Sequence, residues 1–143
     1  MAIINYSTIT KAIESLLQNN LRGYIITRNE ERNTDPNRAI DGGWIGIYRG
    51  NVSYDARVIG TRPWNAILRP MIEIQVASVI SGSDAEEKLQ VAEKEVIDIL
   101  SANKTLSGTV NMTNGYSMDY EYNPINNIYF HSVTITLDCE TRA

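Results

Sequence analysis

Few side chains in this sequence could carry out a reaction, and the first candidates are its single histidine and single cysteine. His131 and Cys139 fall on the apolar side of one alternating segment, eight residues apart. At ~3.3 Å per residue along a strand, about 26 Å separates them, so they do not form a Cys–His catalytic pair. One histidine and one cysteine also do not make up a usual zinc site within one chain. We expect His131 to be half-buried and hydrogen-bonded, and Cys139 to be a small buried apolar group.

The remaining candidates for chemistry are carboxylates and glycines. The acidic residues of one helical segment are Asp84, Glu86, Glu87, Glu93, Glu95 and Asp98. Glu86 and Glu87 fall in its first turn, where the helix dipole favours negative charge, so capping and solvation explain them. A serine partner for His131 stays open, yet no G-x-S-x-G elbow supports one. Gly42 and Gly43 form neither a P-loop nor a dinucleotide fingerprint. The sequence predicts no enzyme, and no catalytic, metal or cofactor site.

Length and charge bound the class of protein. The chain has 143 residues, 43% of them apolar, which predicts a single domain over residues 1–143. The net charge of −4 argues against nucleic-acid binding as the main role, because phosphate binding needs a basic face. One cysteine leaves no intramolecular disulfide, and no segment has the ~20 apolar residues of a membrane helix. We expect a soluble intracellular protein that does not bind a membrane.

Residues 68–106 form the unit around which the other segments are arranged. Residues 71–79 alternate with a period of two, which predicts a strand. After the turn at residues 81–83, Ala85, Leu89, Ala92 and Val96 recur at helical spacing, with Ile99 continuing the stripe. Ser83 and Glu86 have the spacing of a capping box, which predicts where this helix begins.

The N-terminal third predicts a helix and two short strands. Ser7 or Thr8 can cap a helix whose apolar face holds Ile9, Ile13 and Leu17. Strands are predicted over residues 24–27 and 44–48. Residues 28–43 are polar, and two interpretations stay open: a solvated loop, or a binding loop that orders against a partner.

Residues 52–70 are the least regular part of the chain and predict an extended hairpin arm or loop. Tyr54, Arg57, Arg62 and Trp64 are of the types enriched in protein–protein hot spots. The alternative is that Trp64 fills the protein's own core beside Pro63. Both interpretations remain open from the sequence.

The C-terminal third completes the sheet. Residues 109–122 alternate loosely around Asn114-Gly115, which predicts either a hairpin or one strand with a bulge. We expect Asn123-Pro124 to end that segment. Residues 129–139 alternate clearly and predict a strand with one wet face, typical of an antiparallel or mixed sheet. The fold class expected is α+β, with a mixed or mainly antiparallel sheet flanked by two helices.

This order of elements resembles the tail terminator (tail-completion) proteins of long-tailed bacteriophages. The resemblance covers most of the chain as a pattern, and three segments carry it: GTRPW at 60–64 leading into LRPMIEIQV at 68–76, SDAEEKL at 83–89, and VTITL at 133–137. The resemblance implies a small α+β protein that forms a hexameric ring on the head-proximal end of the tail tube.

Such a ring ends tube polymerisation and presents the docking surface for the head connector, while DNA passes through its lumen without sequence-specific binding. The implied partners are further copies of the chain, the tail tube protein, a head–tail connector or neck protein, and a sheath protein where the tail is contractile. The implied location is the tail or neck of a virion assembled in the host cytoplasm. Two alternatives stay open: another neck protein (head–tail joining or stopper ring), and a small α+β ligand-binding domain or enzyme.

Ring formation would use heterologous contacts, in which one patch meets a different patch on the next copy. We place these patches on residues 28–43, 52–70 and 109–124. The residues expected at a partner interface are Tyr54, Arg57, Arg62, Trp64, Asp35 and Arg38.

Overall fold

The computed structural model describes residues 5–55 and 65–142, which contain two α-helices, one short 3₁₀ helix and seven strands. The helices are α1 (Tyr6–Asn20) and α2 (Gly82–Ser101), and the 3₁₀ helix is Pro36–Ala39. The strands are β1 (Ile25–Arg28), β2 (Trp44–Tyr48), β3 (Val52–Asp55), β4 (Asn65–Leu68), β5 (Met71–Ser78), β6 (Met112–Ile125) and β7 (Ile128–Arg142).

All seven strands share one sheet, and β7 is its axis. β5 and β4 pair with successive parts of one side of β7, and β6 pairs with its other side. β2 lies outside β5, β1 lies outside β2, and β3 lies outside β4. Only the β1–β2 pair is parallel among the described strands. The predicted α+β class with a mixed, mainly antiparallel sheet is confirmed.

Both helices pack on the same face of the sheet. Alternation in β2, β5 and β7 places the branched apolar side chains toward the helices, which is why these segments form strands with one apolar face. The main core contains Ile13 and Leu17 of α1, Leu89 and Val96 of α2, and inward side chains of β2, β5 and β7. On the opposite face, Trp44 packs with Ala39, Ala77 and Phe130 in a second, smaller cluster.

Both predicted helix starts are wrong by a few residues. Asn5, rather than Ser7 or Thr8, caps α1 by accepting a hydrogen bond from the Thr8 amide. Ser81, rather than Ser83, caps α2 by accepting from the Asp84 amide at 3.0 Å. Each cap therefore lies two or three residues earlier than predicted, and its side chain binds a free amide of the first turn.

The segment before the last strand is one long strand with a bulge. β6 pairs with β7 from Met112 to Ile125, with a register shift between Thr113 and Gly115. The expected break at Asn123-Pro124 is wrong: Pro124 lies within β6, which is at the edge of the sheet, where a proline is tolerated. The turn is the pair Asn126-Asn127, both with positive φ, as a two-residue hairpin requires.

The hairpin expected within residues 52–70 is present at its base, where β3 and β4 pair in antiparallel register. Its connecting residues 56–64 lie outside the described part of the chain. Over residues 5–55 and 65–142, neither helix is both long enough and apolar enough to cross a membrane.

Candidate interaction surface

Of the six residues predicted at a partner interface, the structure describes Asp35 and Arg38 in full and Tyr54 by its backbone. Arg57, Arg62 and Trp64 are outside the described residues, and so is the side chain of Tyr54, whose backbone belongs to β3. Asp35 and Arg38 are exposed on the segment that crosses the sheet face opposite the helices.

A distance along β7 separates the segment that holds Asp35 from the backbone of Tyr54. Asp35 adjoins Asn33, which is bonded to Gln75 of β5, and Gln75 pairs with Ser132. Tyr54 pairs with Ala66 of β4, and Ala66 pairs with Thr141 of β7. Nine residues of strand correspond to about 30 Å, so the segment that holds Asp35 lies far from the backbone of Tyr54.

Residues 29–43 are anchored to the sheet at a few buried side chains, while most of the segment is exposed, so the choice between a solvated loop and a binding loop stays open. Asn33 is 5% exposed and exchanges hydrogen bonds with Gln75, whose side chain is fully buried. Arg32 donates to both carboxylate oxygens of Glu73, at 3.0 and 2.7 Å, and to Glu121 at 2.9 Å. These bonds neutralise the buried Glu73 and raise the pKa of Arg32, chiefly through the hydrogen bond to Glu73.

Asp35 has a local structural role within this segment. Its carboxylate accepts from the amide of Asn37 at 3.0 Å and so caps the 3₁₀ helix. Arg38 lies in the last turn of that helix and points into solvent. Neither residue enters a cleft with a reactive neighbour, and both remain candidates for contact with another molecule.

His131 lies between β6 and the first half of α2. Its ring meets the ring of Tyr122 edge-on, with centroids 4.5 Å apart, and its Nδ1 is 3.3 Å from Glu86 Oε2. That approach lacks hydrogen-bond geometry, and Nδ1 is unpaired among the described residues. The expected half-buried position of His131 is confirmed, whereas its Nδ1 makes a close contact with a carboxylate in place of the expected hydrogen bond.

A second contact joins α2 to β6 about two helical turns farther along. The Tyr120 hydroxyl donates to Glu93 at 2.5 Å, and this bond raises the pKa of Tyr120 to about 12. Tyr122 and Tyr120 are 52% and 46% exposed. One flank of α2 thus binds the tyrosine side of the edge strand, while both rings keep a face open to solvent.

Cys139 has the inert character that the sequence predicts. Its side chain is fully buried, and its sulfur lies 3.6 Å from the Thr113 hydroxyl. Burial raises the pKa of the thiol, so the reactive thiolate is disfavoured. Among the described residues, no group of three His, Cys, Asp or Glu side chains could hold a metal ion.

The outer edge of β6 is the largest open backbone edge in the described structure. Near its start, the Thr113 amide donates to the carbonyl of Lys104, which covers that end. From Gly115 to Ile125 its strand pairing is with β7 alone. A long unpaired edge is a template for an added strand. The sequence signals for it were the alternation of residues 116–122 and the Asn126-Asn127 turn.

A cleft lies on the other flank of α2, between that helix and the chain entering β1 and β2. Its volume is ≈ 310 Å³, and it is lined by side chains including Tyr24, Ile40, Val76, Glu87, Lys88 and Val91. Val76 at its base is 3% exposed, whereas Val91 at its rim is 57% exposed. The sequence did not predict this cleft, because its walls come from three separate segments.

Comparison with known proteins gives structural matches only. No protein-family model and no curated protein matches the sequence. The fold is similar to the sheath/tube terminator of an extracellular contractile injection system (PVC) in its extended state, with a TM-score of 0.47 and 13% identity. That match covers 96% of this chain and 58% of the terminator chain, so this chain spans less than two thirds of the terminator's length.

A second match is to the virion of a native gene transfer agent particle, with a TM-score of 0.31 and 7% identity, covering 92% of this chain and 91% of that one.

Proposed function

We propose that this chain is a structural component of a phage-type tail, which caps the head-proximal end of the tail tube as a hexameric ring. The ring ends tube polymerisation and presents a docking surface to the head connector, and DNA passes through its lumen. Its partners are further copies of itself, the tube protein, a neck protein, and a sheath protein where the tail is contractile. In this role the protein catalyses no reaction and works within the virion, after assembly in the host cytoplasm.

The observation that carries the ring is the pair of unlike edges on one sheet. One side ends in β6, long and open from Gly115 to Ile125, and the other side ends in the short strands β1 and β3. Two unlike edges favour a head-to-tail contact, which closes into a ring when the rotation between copies closes.

The role of β6 is tested by lysine substitutions on its exposed edge. Replacing Ser117 and Asn123 by Lys should oppose strand addition, because charged edges block pairing with another chain. We expect at least a tenfold loss of ring, measured by light scattering and negative-stain images, with an unchanged melting temperature. The matched control places Lys at Gln18 and Asn19, on the exposed side of α1. Equal ring yields from both variants would remove β6 from the interface.

The terminator role itself is tested in particles that lack the protein. Overlong tubes are the expected result, because a terminator sets the end of polymerisation. Full capsids that leak DNA or carry no tails would instead assign the chain to head–tail joining. Normal tails and normal docking would overturn any neck role.

A further inference from the structure

We infer that the cleft beside α2 receives the hairpin tip, residues 56–64, of a second copy of this chain. The inference rests on the proposed ring, and it adds the contact that would join one copy to the next. The tip sequence ARVIGTRPW combines two arginines with three large apolar residues, Val58, Ile59 and Trp64. Tryptophan and arginine are the residue types that most often anchor protein interfaces.

The cleft has the complementary chemistry. Tyr24, Ile40 and Val76 give it an apolar interior, and at ≈ 310 Å³ it is at the lower limit of binding pockets, which suits one large side chain. Two carboxylates, those of Asp84 and Glu87, lie at its lining.

Only one of these two carboxylates is neutralised within the described chain. Lys88 is 3.5 Å from Asp84 and also donates to the carbonyl of Ala77. Glu87 is exposed and has no ion-pair partner among the described residues. The apolar cleft beside the Glu87 carboxylate therefore fits Trp64 together with the nearby Arg62.

The occupant has to come from another copy, because a chain's own tip does not reach its own cleft. Val76 at the base of the cleft pairs with His131, whereas Asn65 at the base of the hairpin pairs with Arg142. These positions are about 36 Å apart along β7. A nine-residue connection fixed at both ends extends at most about 17 Å from its anchors. Docking in trans is also heterologous, as the proposed ring requires.

Cysteine trapping between two variants tests the contact directly. Trp64→Cys protein is mixed with a tagged Val91→Cys protein and oxidised gently, and mixed dimers are counted on non-reducing gels. The control pair replaces Val91→Cys by Gln90→Cys, an exposed position that points to the opposite flank of the same helix. We expect about a tenfold excess of mixed dimer for the Val91 pair over the Gln90 pair. Equal yields from the two pairs would overturn the inference.

Charge reversal provides a second readout that keeps the apolar contacts intact. Glu87→Lys on the cleft partner, or Arg62→Glu on the tip partner, should lower trapping about two- to fivefold, and the two changes together should restore it. If combining Glu87→Lys with Arg62→Glu does not restore the yield of mixed dimer, that result also counts against the docking.

The same mixtures separate this inference from the proposed function. If rings appear in electron micrographs but the Val91 pair gives no more mixed dimer than the Gln90 pair, the docking inference is overturned and the proposed ring is not. No association at any concentration, combined with tails of normal length in particles that lack the protein, would overturn both.

Discussion

The side chains of Asn33 and Gln75 exchange two hydrogen bonds that fix residues 29–43 to the centre of the sheet. Asn33 Nδ2 donates to Gln75 Oε1 at 2.8 Å, and Gln75 Nε2 donates to the Asn33 carbonyl at 2.9 Å. Both residues are at least 95% buried. The pair therefore acts as a specific attachment between a polar segment and a strand 42 positions away.

Replacing Gln75 by Met should leave the Asn33 amide and carbonyl without these partners in a buried site. We expect a loss of about 2–3 kcal/mol in the free energy of unfolding, since each unsatisfied buried polar group costs about 1–3 kcal/mol. Urea unfolding of the wild type and the variant measures this loss in the free energy of unfolding. The control is Asn37→Ala, an exposed asparagine of the same segment, for which a change below about 0.5 kcal/mol is expected. A similar small change for Gln75→Met would show that the pair does not hold the segment.

Alternation in the sequence was sufficient to predict β2, β5 and β7 and the faces of their side chains. Helical spacing predicted the apolar stripe of α2 as well, because a helix that buries one side carries apolar residues at that spacing. Helix starts were less predictable. Several residues able to cap lie near each start, namely Asn5, Ser7 and Thr8 for α1 and Ser81 and Ser83 for α2, and their spacing alone does not decide which one binds the free amides.

The packing of residues 29–43 was not predictable, because its partners are polar. Glu73 and Gln75 occupy the wet side of the β5 alternation, which favours solvent exposure, yet they are 4% and 0% exposed. Their burial depends on Arg32 and Asn33, about forty residues earlier. Arg57, Arg62 and Trp64 were chosen as interface residues from their residue types alone, and their role at an interface stays a prediction.

Tyr120 and Glu93 predict a pH dependence at alkaline pH. The hydrogen bond to Glu93 raises the pKa of Tyr120 from its ordinary value of 10.0 to about 12, and burial raises that of Tyr48 to about 12. The folded state disfavours both phenolates, so their contribution to stability is complete below about pH 10 and is lost as the pH rises toward 12. Tyr120→Phe should remove one late-titrating group from the absorbance titration at 295 nm.

Glu93→Gln provides the control for the cause of this shift. It keeps an acceptor for the Tyr120 hydroxyl but removes the negative charge, so Tyr120 should ionise at a lower pH than in the wild type. Glu87→Gln, on the opposite flank of α2, should leave the titration unchanged. An identical titration for the wild type and Glu93→Gln would show that the bond to Glu93 is not what holds the proton.

Cys139 should react slowly with thiol reagents in the folded protein. Burial raises its pKa and shields the sulfur, so labelling requires local or global opening of the sheet. We expect a rate at least about 100-fold below that of a cysteine placed at the exposed position Gln90, and complete labelling of one thiol per chain in denaturant. Rapid labelling without denaturant would mean that the β6–β7 pair opens readily near Thr113.

The base of the hairpin arm depends on Gly50, where two strand segments meet more closely than a side chain allows. A Cβ added at Gly50 would overlap the carbonyl oxygen of Arg69, and the Gly50 amide donates to the Tyr6 hydroxyl at 3.2 Å. Gly50→Ala should therefore push the β2–β3 segment away from the β4–β5 segment and cost about 2–4 kcal/mol in unfolding free energy.

Gly115→Ala is the matched control, because a Cβ there meets no heavy atom within 4 Å. It should change stability by less than about 0.5 kcal/mol in the same urea experiment. If the hairpin tip joins neighbouring copies, Gly50→Ala should also lower Trp64–Val91 trapping at a temperature where the variant is still folded, since the arm starts at the displaced strands. Equal losses in the two glycine variants would show that close approach at residue 50 does not set the position of the arm.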